Sequence, residues 1–249
     1  LLTFTGPLSA ADQQHRLFTD ILQDHVRDGL VDYAALKQDE RLEQYIAQLG
    51  ATDPAALTGD REAEAYWLNV YNAYTLKLIV DNYPLESINE LHLFGSLYLG
   101  VIFKRTVWRT WKFPINGREY TLDEVEHELL QPVYKDYRHH SAFVCASLGC
   151  PPLRDEAFEA AKLEAQLDDQ MRIWMADSSR NYYHQSTKTL RVSQIFSWFE
   201  EDFVADGRGL VEVLSPYMPA EMRLQVESAG DELEVMHIYY DWGLNVTES

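Results

Sequence analysis

Residues 61–80, REAEAYWLNVYNAYTLKLIV, carry apolar side chains on almost every face after Ala65. A helix with that pattern has no side to give to water, so other parts of the chain must surround it. One line along it reads Ala65, Asn69, Asn72, Leu76, Ile79, at steps of four, three, four and three, which sets two amides a turn apart on an apolar stripe. Two readings of those amides stay open. Either they hold a neighbouring loop through its backbone, as buried polar groups usually do, or they hold a substrate carbonyl or an imidazole.

The surrounding elements can be read in part. Leu17, Ile21, Leu22 and Val26 repeat at helix spacing, and Leu42, Tyr45, Ile46 and Leu49 do so after a break at Gly29, so residues 10–50 predict packing helices. VDYAALK between them reads equally as a short strand or a loop. Pro84 closes the central helix, and SINEL from Ser87 begins a short one. Asn116-Gly117 between extended runs predicts a hairpin, because a type I′ turn needs positive φ at both central residues. Thr121 to Glu124 form a capping box that opens a helix to Leu130, stopped by Pro132. HHSAFVCAS, residues 139–147, predicts a buried strand that ends before Cys150-Pro151-Pro152, since proline cannot join a ladder.

Residues 156–176 return to helix, YYHQSTKTLRVS predicts a second hairpin around Ser186 to Lys188, and Phe196, Phe199 and Phe203 line a further helix. Residues 232–242 read as a closing strand. The expectation is one α+β domain over 1–249, with an N-terminal helical part (1–60) and a core (61–249). In it, helices and the buried central helix pack on a mostly antiparallel sheet.

Charge narrows the partners. A formal net charge of −19 argues against nucleic acid, because a phosphate backbone is bound by clustered Lys and Arg. FKRTVWRTWK, residues 103–112, is a local exception that reads as a solvated face. No apolar run approaches the roughly 18 residues of a membrane span. The chain begins LLTFTGPLSA without Met, which predicts that an upstream segment has been removed.

The only two cysteines, Cys145 and Cys150, stand five positions apart. A disulfide is sterically allowed there but not required. A zinc site would need a second pair of ligands beside His139 and His140, and none is visible, so neither metal nor cofactor is expected. A thiolate nucleophile needs a base in reach. On the expected strand His140 lies on the opposite face from Cys145. His127 is the better base, with Glu126 beside it and Asp123 one turn before it; the competing reading of DEVEHELL is an exposed helix face. Arg154 either acidifies a thiol, clamps a carboxylate or sits on the surface.

Taken together, YWLNVYNAYTL (66–76), YTLDEVEHELL (120–130), SAFVCASLGCPPLR (141–154) and YYDWGLN (239–245) resemble the domain-of-unknown-function 547 family in its bacterial branch. The family pattern W-I-N-x-x-N-A falls on Trp67, Asn69, Asn72 and Ala73, with Leu68 in place of Ile. The I-E-H pattern falls on Val125, Glu126 and His127. The C-G-S-x-S-x-P pattern falls on Cys145, Ser147 and Pro151, with Ala146 in place of glycine; the resemblance makes Cys145 the family-type cysteine and Cys150 a local addition. The resemblance implies an extracytoplasmic setting and no general disulfide, and it brings no assigned activity. It is compatible with a papain- or transglutaminase-like arrangement, with the departure that Cys145 follows the central helix instead of starting it.

Two functions are therefore expected as rivals. In a thiol-dependent hydrolase or acyl transferase, Cys145 attacks, His127 is the base oriented by Glu126, and Asn72 holds the oxyanion or imidazole, while Asn69, Arg154 and His140 anchor substrate. In a non-catalytic domain the same cleft binds a peptide or small ligand.

Overall fold

The computed structural model of the chain describes residues 14–92, 95 and 106–247. The opening LLTFTGPLSA and the first part of the basic stretch, Phe103 to Arg105, lie outside them. The central helix runs Asp60–Asn82, and every residue from Glu64 to Leu76 is buried. Asp60 and Glu62 in its first turn favour the positive end of the helix dipole. It ends before Pro84, which disfavours helical geometry in the residue preceding it.

Three groups of elements bury that helix. On one flank lie the helices Arg16–His25 and Glu40–Ala51, tied together by Phe18 stacked on Tyr45 with centroids 4.7 Å apart. Tyr66 of the central helix donates to the Leu49 carbonyl at 2.9 Å. A second flank is the hairpin of β3 (Lys112–Ile115) and β4 (Arg118–Thr121). Its turn has φ of +47° at Asn116 and +77° at Gly117, the geometry expected from that dipeptide. Tyr74 stacks on Phe113 at 3.9 Å, so the hairpin is held by the helix it covers.

The third flank departs from the expected strand. Residues 139–142 form a helical turn (His139–Ala142), and the chain then runs extended without a strand partner. Asn72 takes the partner's place: its Nδ2 donates to the Ala142 carbonyl at 2.9 Å and its Oδ1 accepts from the Val144 amide at 3.0 Å. Asn69 does the same one turn earlier, with both atoms bonded to the backbone of Phe158 at 2.8 and 2.9 Å. A carboxamide side chain offers the same donor and acceptor as a peptide unit, so two asparagines on a helix stand in for a sheet edge. That clamp also delays the next helix, which begins at Leu163 rather than near residue 156.

The remaining strands are short. β1 (Val26–Arg27) and β2 (Leu30–Val31) flank Asp28-Gly29, whose φ values of +52° and +80° make a second type I′ turn where the sequence suggested only a break. β5 (Tyr182–His184) pairs antiparallel with β6 (Thr189–Val192), and β6 pairs parallel with β7 (Glu234–His237). The architecture is α+β with helices dominant and small, mostly antiparallel sheets. The expected closing strand shortens to β7 because residues 241–245 leave it to pair with the cysteine loop: Leu148 and Gly149 donate to the carbonyls of Gly243 and Asp241 at 2.7 and 2.8 Å.

Two apolar cores result. One surrounds the central helix; the other gathers Met171, Trp174, Phe196, Phe203 and Val213, and Trp242 packs against both.

Candidate functional site

A cavity of about 320 Å³ lies on the seam between those cores. Tyr71 and Phe143 come to it from the first core and Ile195, Phe199 and Tyr240 from the second. Cavities at such seams are the usual place for small ligands. One wall is an aromatic panel. Trp198 and Trp242 stack with centroids 5.9 Å apart, Tyr240 lies 4.4 Å from Trp242 and 4.9 Å from Trp198, and Trp108 lies 6.4 Å from Trp242.

Polar lining comes from the capped helix. Thr121 Oγ1 accepts from the Glu124 amide while Glu124 returns a bond to the Thr121 amide, at 3.1 and 2.9 Å. Past this box the helix widens into a π-helix over Val125–Leu130, in which the Gln131 amide reaches back five residues to the Glu126 carbonyl. Pro132 supplies the reason: it brings no N–H, and in an α-helix its ring would press on the carbonyl four residues before it. Widened turns of this kind recur at functional sites. This one presents Glu126 and His127 to the cavity.

Their partners set the charge of the wall. Arg109 Nε donates to Asp123 Oδ1 at 2.8 Å, and His127 Nε2 lies 3.9 Å from the same oxygen. Glu126 instead accepts from the Tyr71 hydroxyl, which burial and that carboxylate push far above the ordinary tyrosine range. Arg109 and His127 are thus turned to Asp123, and among the described residues Glu126 has no ion-pair partner. His140, stacked on Phe199 at 4.2 Å, has Nε2 2.9 Å from Asp202 Oδ2 and 3.0 Å from Gln131 Nε2. One ring nitrogen serves one of them, and the carboxylate is the stronger partner; that bond holds the Asp202 carboxyl below its ordinary value against its partial burial.

Cys145 lines the same cavity and Cys150 lies behind it, both as free thiols. Between them Ala146 takes φ +57°, a left-handed conformation that suits the glycine expected there. The amide of Cys145 donates to Cys150 Sγ at 2.9 Å, and the Tyr240 hydroxyl lies 3.0 Å from the same sulfur. Burial and the two sulfurs raise the Tyr240 hydroxyl well above its ordinary value, so it is the donor. A bond to Cys150 and then burial raise the Cys145 thiol as well. Burial opposes ionising Cys150, but the bonds from Cys145, from Tyr240 and from backbone outweigh it and bring that thiol down. Of the two sulfurs, the inner one is therefore the easier to ionise. Gly149 keeps the loop in place, since a Cβ there would come within 2.8 Å of the Asp241 nitrogen and of the Tyr240 ring.

Cys145, Glu126, His127 and His140 are thus brought to one cavity. His140 reaches it because residues 139–142 are helical, so the opposite-face argument does not apply. Asn69 and Asn72 are spent on backbone, the structural alternative of the two left open. Arg154 is bonded to Glu156 and Asp169 at 2.9 and 2.8 Å and borders a separate depression with Pro152 and Gln170. Trp108, Trp198, Tyr240 and Trp242 were not singled out from the sequence; the quoted YYDWGLN motif was the one signal that reached two of them.

Glu64, Asp136 and His139 are the group whose ligand atoms lie within 4.8 Å of one another among the described residues. His139 Nε2 is 2.8 Å from Glu64, and Asp136 is bonded to Arg138 at 2.6 Å, so each carboxylate already has a partner. Neither Glu64 nor Asp136 lines the cavity.

The family model described as "Protein of unknown function, DUF547" matches residues 54–175. That span holds the central helix, the hairpin, the π segment and both cysteines; the tryptophan panel, apart from Trp108, lies beyond it. No curated protein and no solved structure matches the chain. Residues 54–175 are thus a DUF547 domain, of a family of proteins of unknown function.

Proposed function

We propose that the chain binds a small organic molecule in the seam cavity, with its apolar body against the tryptophan panel and a positively charged group at Glu126. The observation that carries this reading is one cavity lined both by indole and phenol rings and by a carboxylate without an ion-pair partner among the described residues. Aromatic faces attract cations by their quadrupole, and desolvation strengthens the attraction. The acidic chain as a whole also draws cations toward it. The test is calorimetric titration with benzyltrimethylammonium, which carries both features. Glu126→Gln should weaken binding about tenfold, a loss of about 1.4 kcal/mol; Glu128→Gln should leave it unchanged. Equal affinity in the wild type and Glu126→Gln would remove the carboxylate from the site.

A second reading, thiol-dependent hydrolysis or acyl transfer, is favoured by Cys145 lining the same cavity as His127 and Glu126. Here the proton of Cys145 passes to Cys150, to which it is already bonded, and not to His127, whose contact is Asp123. Release of nitrophenol from a nitrophenyl ester, lost in Cys145→Ala and retained in His127→Gln, is the expected pattern. Equal rates in the wild type and Cys145→Ala would end this reading. The extracytoplasmic setting implied by the resemblance belongs to the proposal, and fractionation of cells producing the protein tests it.

A further inference from the structure

We propose that Cys145 and Cys150 form a working dithiol that reduces a small organic disulfide admitted to the cavity, closing to an intramolecular disulfide as it does so. The inference rests on the cavity being open to a small molecule, as read above, and adds a reaction to it.

Thiol–disulfide exchange needs one sulfur that meets the substrate and a second, protected sulfur that resolves the adduct. The loop provides both. Cys145 lines the cavity, while Cys150 is 1% exposed behind it. The inner sulfur sits 2.9 Å from the amide nitrogen of Cys145 itself and is bonded to its thiol. A turn in which the Cys150 amide donates to the Ser147 carbonyl at 3.1 Å folds the inner cysteine back toward the outer one. The Tyr240 hydroxyl at 3.0 Å and the nearby Arg180 guanidinium, which interacts electrostatically with Cys150, steady negative charge on the resolving sulfur.

The reaction balances as follows. Exchange starts from the singly ionised pair, one thiol and one thiolate. Cys145 passes its proton to Cys150 and attacks one sulfur of the substrate; the substrate S–S bond breaks, and the first leaving thiolate takes the proton from Cys150. The Cys150 thiolate then attacks the Cys145 sulfur of the mixed disulfide, and the second substrate thiolate leaves. Two electrons pass from the cysteine pair to the substrate, which departs as one thiol and one thiolate.

The test uses the reduced protein, dithiodipyridine as the disulfide, an acid quench, and two readouts: released thiopyridone and intact mass. The wild type should release two equivalents per chain and become lighter by two hydrogens. Cys150→Ser should release one equivalent and keep a thiopyridyl adduct on Cys145, and Cys145→Ser should not react. A wild-type chain that stops at an adduct on Cys145, or that carries an adduct on each cysteine, overturns the dithiol while leaving access to the cavity intact. No reaction at all overturns both the dithiol and the open cavity.

Discussion

At Ala146 a side chain occupies a left-handed backbone conformation, φ +57°, with no exposure to solvent. That geometry costs a residue with a Cβ about 1–2 kcal/mol, and the extra chain entropy of glycine returns about 0.5–1 kcal/mol of it. Ala146→Gly should therefore stabilise the protein by roughly 0.5–1 kcal/mol in urea unfolding; a loss of stability would mean that the loop relaxes out of this conformation in solution. His92 is a second single-residue test. Burial lowers it to about 4 from the usual 6.5, and its Nδ1 accepts from the Val107 amide at 3.0 Å. A folded value below the unfolded one means stability that is full above pH 6.5 and is lost as the pH falls toward 4. By the linkage relation the loss is about 3 kcal/mol. The difference in stability between the wild type and His92→Gln should shrink by that amount between pH 7 and 4, and a constant difference would contradict the assignment.

At the scale of elements, the helix-borne asparagines are the feature that places the cysteine loop. Asn72→Ala leaves a buried N–H and a buried C=O without partners, at about 1–3 kcal/mol each, so a loss of about 2–6 kcal/mol is expected. It should bring faster alkylation of Cys145 as residues 142–145 loosen; unchanged alkylation would show that the loop is held by other contacts. The locally determined elements were legible in the sequence. Asn116-Gly117 and the Thr121 to Glu124 box act within four residues, and the structure has both. The run at 139–147 was not, because a buried extended segment bonded to a helix side chain has the same apolar composition as a strand. The partner that decides between them lies 70 and 72 positions away along the chain.

At the scale of the whole molecule, several carboxylates are held below their ordinary values by their partners. Bonds from Arg41 hold Asp39 far below its ordinary value, Arg138 does the same for Asp136 against burial, Gln166 and Arg154 lower Glu156 against burial, and His140 lowers Asp202. Each folded value is below the unfolded one, so each contribution is complete above about pH 4 and vanishes as the pH falls through the folded values. Urea midpoints should fall steeply between pH 4 and 2; a flat profile there would contradict these pairings.

The cavity itself also belongs to this scale. Its walls come from residues between Tyr71 and Trp242, so the motifs revealed Cys145, Glu126 and His127 but only Tyr240 and Trp242 of the aromatic panel. That panel supplies the most direct measurement of the central claim, which is that the seam cavity is a ligand site. In indole N–H spectra of the protein titrated with benzyltrimethylammonium, the signals of Trp108, Trp198 and Trp242 should shift together and saturate, while those of Trp67, Trp111 and Trp174 stay fixed. Six unmoved signals, or shifts centred on Trp67 and Trp174, would contradict it.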